Sequence, residues 1–509
     1  MAVISVVLGS IAVVAFTIWY YIHVPLSLPK NIPRIPIYVS LLGLWSSMGQ
    51  DEIYEKWLRE PLERYGAVKI WFAGQWSILV TKPEYLTDMF RNEDVYAKAG
   101  SQVKIPWSVI SSLVGDNIIN SHGENWHLYT SIMKPGMQKR TWDAGVMVDD
   151  TRHFIRLCLQ QQKDLSMQDG VMVNPLIQRW AIQIMGRNFL DTDLQCLSFP
   201  DVRLETLQSI IKRTLFKPLY FNFPHLDKYS AILRSRARAY AIMKEFGDRL
   251  FALSRALPRH HPVDKKQAED LQVVDLLNVA LDKGQINEEQ FRANIKITFL
   301  TAHENAQQLL NSIFWELGRS ESIPMQQKLR DEVLNTGVDR PSTELLNSMP
   351  YLTSVLYEML RLYPPVSQLI NRVTITDTIL GGNIRIPKRT WVGWNAYGAH
   401  VDPNSWPSPY TFKPERWGET VEQMQSKFRR DCVAGRYIPF NAHSRKCLGQ
   451  GFALLEMKVV LFELVKSVTW TVDKTYKLKL TPGGILAPLG CKVVFKEVAR
   501  RHDESVQHQ

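Results

Sequence analysis

The stretch PFNAHSRKCLGQGFALLEMKVVLFELV, from Pro439 to Val465, decides how the rest of the chain is read. Its first half is rich in loop formers (Asn441, His443, Ser444). Gly449 and Gly451 then lead into apolar residues at helical spacing, Phe452, Leu455, Val459 and Phe462. Cys447 therefore sits where a loop becomes a helix. Unpaired N–H groups and the macrodipole at a helix start favour negative charge, and Arg445 and Lys446 place two cations beside the thiol. The stretch thus predicts a cysteine biased toward the thiolate, the form that binds metal. On this loop alone, a buried unreactive cysteine at a helix start is the alternative.

Working outward, a helical pattern from about Asn287 to Gly318 carries TAHENAQQ, Thr301 to Gln308, inside an otherwise apolar segment containing Ile295, Ile297, Phe299 and Leu300. Glu304 can carry a proton. Asn305 can hold a water or a ligand through its amide, but it lacks the hydroxyl that would relay a proton simply. A face charge or a cap interaction is the plainer reading of such a pair. In YLTSVLYEMLRLYPPV, Glu358 and Arg361 are three apart on one helical face, and Pro364 with Pro365 ends the helix. FKPERW, Phe412 to Trp417, supplies Arg416 as a further cation, and buried charges need such mutual partners.

Taken together, these segments resemble the cytochromes P450. Phe440, Arg445, Cys447 and Gly449 match the haem-binding signature FxxGxRxCxG. His443 stands where that family usually has glycine, and histidine tolerates left-handed backbone geometry. The TAHEN segment is similar to the family's A-G-x-D/E-T-T/S, with Ala302 replacing glycine, Glu304 matching the acid and Asn305 replacing threonine. EMLR and PERW match the family's ExxR and PERF segments in order and spacing.

The resemblance spans essentially the whole chain. It implies a mainly α fold with a small β-rich subdomain and haem b held between two helices, with Cys447 as the axial iron ligand; a thiolate ligand favours O–O cleavage. It makes Phe440, Trp126, Arg372 and Arg445 cofactor-binding residues, Glu304 and Asn305 the catalytic pair, and Glu358, Arg361 and Arg416 a structural ion network. Ile105, Ala302, Val366, Leu369, Ile485 and Leu486 fall where the family contacts substrate. In GENWHLYTSIMKPGM, Gly123 to Met137, Trp126 matches a propionate contact, but Thr130 stands where the family has arginine. His127 or Lys134 would be the compensating cation. Electrons are expected from NADPH through a membrane-bound reductase docking near Arg445 and Lys446.

The implied activity is monooxygenation of a lipophilic small molecule, by hydroxylation, epoxidation or oxidative coupling. The His-Glu-Asn segment and the haem loop look most like fungal members that tailor specialised metabolites. Asn305 keeps a second possibility in view, a haem-thiolate isomerase or dehydratase that needs no NADPH. A membrane-tethered haem or ligand carrier is a third.

Composition fits this picture. The chain has 509 residues, 45% hydrophobic and 22% charged. Its five cysteines are scattered without CxxC or CxxCH spacing, which argues against a disulfide framework, a zinc site or c-type haem. No N-x-S/T acceptor occurs, in keeping with a cytosolic catalytic domain. The net charge of +11 is dispersed and carries no nucleic-acid motif, so an acidic redox partner and a membrane surface are the expected partners, and nucleic acid is not.

Residues 1–24 hold no Asp, Glu, Lys or Arg and are long enough to span a bilayer, with Trp19, Tyr20 and Tyr21 at the end. Lys30 and Arg34 follow, so the positive-inside rule places the body in the cytosol, the arrangement of a single-pass endoplasmic-reticulum protein. A proline-rich linker (25–45), a haem-thiolate catalytic domain (46–500) and a polar tail (501–509) complete the expected organisation.

Overall fold

The protein is described here from a computed structural model covering residues 22–498, except 140–141, 167–168, 200–201, 216 and 257–270, together with residues 4, 7–10, 12, 13, 16 and 19. The polar tail 501–509 lies outside the described residues. So does much of the charge-free N-terminal run, whose described residues up to 22 are helical. Among the described residues no helix is long and apolar enough to cross a membrane.

Two bodies of structure meet at the site. The smaller is a five-stranded sheet in the order β1-β2-β8-β5-β3, built from β1 Ala67–Phe72, β2 Gln75–Val80, β3 Tyr96–Lys98, β5 Gln368–Thr374 and β8 Trp391–Asn395. The β1–β2 hairpin closes through Ala73 and Gly74, both at positive φ, as a two-residue turn matching strand twist requires. Strand β2 runs parallel to β8, and the other pairings are antiparallel. Strand β4 Val171–Met172 pairs with β10 Lys492–Glu497, which also pairs with β9 Val468–Val472, and β6 Thr378–Leu380 pairs with β7 Ile384–Ile386.

The larger body is helical. Its long elements are α1 Pro83–Arg91, α2 Gly123–Met137, α3 Ala144–Lys163, α4 Val173–Phe189, α5 Arg203–Leu215, α6 Arg234–Ala256, α7 Glu288–Gly318, α8 Pro350–Leu362 and α9 Gln450–Ser467. Helix α7 runs through the middle, packed against α4, α6, α8 and α9. It begins where the sequence predicts because Asn287 and Gln290 cap each other, side chain to backbone, at 2.9 Å in both directions. It is buried on several faces, so its few polar residues stand out as needing partners. Helix α8 ends at Leu362, directly before the Pro364-Pro365 pair.

One expectation is corrected. Residues 25–45 are no stiff extended linker. Ile35, Val39 and Leu42 are buried in one cluster with Ile70 and Leu79 of the sheet, and a short helix forms at Ile37–Ser40. The four prolines shape the path of this segment without keeping it off the body, because burying three aliphatic side chains outweighs their resistance to regular structure. Between Ala97 and Asn120 two short helices form, at Ser101–Lys104 and Val109–Val114.

Candidate active site

Cys447 lies three residues before the first residue of α9 and is shaped by the loop before it. Asn441 and His443 both adopt positive φ, 60° and 57°, so the histidine takes the turn geometry for which glycine is the commoner choice. The Cys447 N–H donates to Phe440 O at 2.9 Å, closing the loop around the sulfur. Cys158, Cys196 and Cys491 are buried, whereas Cys447 is exposed.

Burial pushes the Cys447 thiol up, with the Gly449 N–H and the Lys446 charge opposing it. Desolvation thus opposes the thiolate bias expected from the helix end. The Arg445 side chain is buried, which leaves Lys446 as the exposed cation of the two.

Arg445 instead enters a buried ionic cluster. Its Nε lies 3.3 Å from Glu93 Oε1, its Nη2 donates to Ser121 O, and its guanidinium sits 4.3 Å from the centre of the Trp126 ring. Arg372, on β5, donates from Nη1 to Glu93 Oε2 and to Tyr96 O, both at 2.8 Å. Lys98 pairs in register with Arg372 across β3 and β5, which puts the two side chains on one face. Lys98 is only 6% exposed, and burial, with Arg372 and Arg445 adding to it, holds its ammonium well below the usual lysine range. Burial likewise lowers Arg445 to about 10, with Glu93 opposing.

Arg372 and Arg445 thus share one carboxylate, with Lys98 buried beside Arg372, and among the described residues Arg372 Nε and Nη2 and Arg445 Nη1 are buried without a hydrogen-bond partner. This is a site for a ligand carrying more than one negative charge. His127 meets the cluster at the Trp126 ring, the two ring centres 4.7 Å apart; Lys98 is the additional basic side chain, and among the described residues Thr130 Oγ1 is buried without a partner. Glu93 and Lys98 are absent from the expectations because neither lies in a motif, and only strand pairing brings them to Arg372.

Beneath the loop, Glu358 is fully buried and accepts from Arg361 Nη2 at 2.8 Å, Arg361 Nε at 3.0 Å and Arg416 Nε at 2.8 Å. Trp417 Nε1 and the Lys413 N–H add two donors at 3.1 and 3.0 Å. His400 ties this network to the cysteine loop. Its Nε2 accepts from the Ile438 N–H at 2.8 Å, so the proton sits on Nδ1, which donates to Arg361 O at 3.1 Å.

On α7, Glu304 Oε2 is 2.7 Å from Lys212 Nζ of α5, and Oε1 accepts from Gln308 Nε2 at 2.9 Å. Asn305 Nδ2 donates to Thr301 O at 3.3 Å. His303 is buried between these residues and Phe299, with Nδ1 donating to Phe299 O at 2.5 Å and Nε2 3.7 Å from Glu304 Oε2.

Of the residues expected to face substrate, Val366 and Ile485 form a β-bridge, Leu369 packs beside them on the sheet, Ala302 lies on α7 beside Glu304, and Ile105 is buried after the first short helix. Leu486 is corrected. It is fully buried in the sheet core with Ile35, Val39 and Ile370, because successive residues of an extended segment point to opposite sides.

Burial lowers His303 to about 4 and His400 to about 3, so both imidazoles are neutral in the folded protein. In the unfolded chain they titrate near the ordinary value of about 6.5. The unfolded chain therefore binds more protons below pH 6.5, and each histidine removes about 1.4 kcal/mol of stability per pH unit down to its folded value. Above pH 6.5 both states are neutral and the contribution is flat. Denaturant titrations at pH 7 and pH 5 are expected to show a loss of roughly 4 kcal/mol from these two groups, and His303→Gln should reduce that loss by about half.

A family model described as cytochrome P450 matches residues 29–494. The cytochrome P450 monooxygenase xanG of Aspergillus fumigatus is 58% identical over 477 residues, covering 93% of this chain and 88% of that protein. Cytochrome P450-DIT2 of Saccharomyces cerevisiae is 35% identical, with 96% of each chain covered. Among solved structures, the crystal structure of the cytochrome P450DA heme domain superposes with a TM-score of 0.74 at 18% identity, covering 93% of this chain and 99% of that one.

Proposed function

The chain belongs to the cytochrome P450 family, and on that premise we propose that it is a haem-thiolate monooxygenase that takes electrons from NADPH through a reductase and oxidises a lipophilic small molecule in fungal specialised metabolism. The family implies haem b, and the residues present suit it. Arg372 and Arg445 offer more positive charge than Glu93 balances, with guanidinium N–H groups unpartnered among the described residues, which is what two propionates require. Bound there, haem supplies an iron centre at which dioxygen is activated.

The chain's own residues divide the remaining work. Cys447 would hold the iron through its sulfur, in a loop kept rigid by the Phe440 and His400 hydrogen bonds. Trp126 and Arg445 would orient the propionates together with Arg372. Glu304 holds and moves the proton that oxygen chemistry consumes, and Asn305, one residue on, positions a water or the substrate beside it. Ile105, Ala302, Val366, Leu369 and Ile485 would form an apolar wall that favours a lipophilic substrate and excludes bulk water.

Membrane attachment belongs to the same reading. The charge-free run over residues 1–24 would anchor the protein in the endoplasmic-reticulum membrane with the body in the cytosol. Exposed Leu26, Trp45 and Ile232 would meet the lipid surface, while exposed Lys446 beside the cysteine would help to dock the reductase.

The observation that carries the proposal is the accessible Cys447 at the start of α9, on a chain that also holds a surplus of buried cations. Incubating the purified protein with reductase, NADPH and fungal metabolite extracts, followed by mass spectrometry, tests it. The expected result is a product that has gained oxygen or lost hydrogen, strictly dependent on NADPH. Turnover without NADPH or reductase would overturn the proposal.

A further inference from the structure

Glu93 stands in the turn between α1 and β3, and the two arginines that meet it come from far along the chain. Arg372 of β5 is tied to this turn twice, its Nη1 donating to Glu93 Oε2 and to Tyr96 O, both at 2.8 Å. Arg445 approaches the other oxygen, its Nε 3.3 Å from Glu93 Oε1, and His122 Nδ1 lies 3.4 Å from that same oxygen. The two guanidinium groups repel one another, and Glu93 is the acid that both of them meet. Burial pushes the Glu93 carboxyl up, but Arg372 and Arg445 more than offset this and hold it below the usual range, so it is an anion in the folded protein.

What Glu93 takes from the arginines decides what they have left to offer. By accepting from Nη1 of Arg372 it leaves the Nε and Nη2 edge, whose two N–H groups are parallel and match one carboxylate. Arg361 holds Glu358 through this same edge, at 3.0 and 2.8 Å, and Arg236 holds Asp227 through it, at 2.6 and 3.2 Å. In Arg372 both atoms of the edge are buried without a partner among the described residues, and so is Arg445 Nη1, while Arg445 Nη2 donates to Ser121 O. One arginine thus presents a whole fork and the other a single donor, each set against a different oxygen of one carboxylate.

We propose that Glu93 is a positioning residue for the haem: it sets Arg372 and Arg445 so that this fork and this donor are available to the two propionates, and its negative charge beside them lowers the reduction potential of the iron. The inference rests on the haem-thiolate reading above and adds to it the acid that arranges the cations. Without the carboxylate, repulsion drives the guanidinium groups apart and Arg372 Nη1 keeps only Tyr96 O. Removing a negative charge from beside the haem also favours the ferrous iron, which carries one positive charge fewer than the ferric.

The test uses the substrate-free holoenzyme, as wild type, Glu93→Gln, Glu93→Asp and Glu93→Leu. Spectroelectrochemical titration gives the midpoint potential, and the rate of haem transfer to excess apomyoglobin gives haem retention. Glu93→Gln keeps an acceptor for Arg372 Nη1 and loses the charge, so its potential is expected to move in the positive direction while haem transfer stays close to wild type. Glu93→Leu loses both, and its haem transfer is expected to be about tenfold to a hundredfold faster, as for other residues that orient the groups holding a metal centre, with the same positive displacement of the potential. Glu93→Asp keeps the charge and should hold the potential near the wild-type value. An unchanged potential in Glu93→Gln would overturn the inference, and so would haem transfer from Glu93→Leu at the wild-type rate. Should Glu93→Leu not be obtained with haem, the potentials of Glu93→Gln and Glu93→Asp decide alone. A wild type that contains no haem is a different result, in which the haem-thiolate reading itself fails.

Discussion

Glu358→Ala is expected to cost about 3–5 kcal/mol of folding stability and to yield protein largely without haem. The size of the effect follows from the number of groups left behind. Glu358 is fully buried and compensates Arg361, itself fully buried, and Arg416, while also taking the Trp417 indole N–H and the Lys413 amide. Removing the carboxylate leaves two guanidinium charges in protein with backbone carbonyls as their only acceptors. Through Arg361 and His400 the damage reaches Ile438, two residues before Phe440. Glu358→Gln keeps some of the hydrogen bonds and should fall between. Denaturant unfolding and the haem-to-protein ratio of purified variants check this, and an alanine variant with wild-type values for both would show that the network does not support the cysteine loop.

The second large effect is expected at the sulfur. Cys447→Ser should lower NADPH-dependent product formation below detection, because a serine hydroxyl is neither deprotonated nor a soft ligand at neutral pH. The loss should come with little change in folding stability. Cys447 retains accessible surface, and the loop is held by the Cys447 N–H to Phe440 O bond, which serine preserves. Activity lost together with the fold would instead assign the cysteine a packing role.

These two sites differ in how far they could be read from sequence. The cysteine loop, EMLR and PERW are short local patterns whose chemistry is legible residue by residue, and α7 announces both its start at Asn287 and its polar insertion at Glu304. The partners are another matter. Lys212 is 92 residues from Glu304, and Glu93 is 279 from Arg372 and further still from Arg445. Nothing local to Lys212, Glu93 or Lys98 distinguishes them from surface charges, since what makes them matter is burial, and burial is set by strand register and helix packing. His400 is a single histidine in an apolar run, and its two hydrogen bonds appear only once α8 and the cysteine loop are adjacent. Desolvation, which opposes the thiolate at Cys447, is likewise invisible in sequence, whereas helix-end and neighbour charges are visible there. The linker expectation misled because proline spacing reports backbone preference and says nothing of the apolar residues between the prolines finding a core.

The central claim is that Cys447 holds haem iron through its sulfur. The most direct measurement is the carbon monoxide difference spectrum of the reduced, purified protein, recorded for wild type and for Cys447→Ser. The long-wavelength Soret band of a thiolate-ligated haem in the wild type, and its absence in the variant, is the predicted result. A wild-type spectrum of the histidine-ligated kind, or protein that contains no porphyrin, would contradict it.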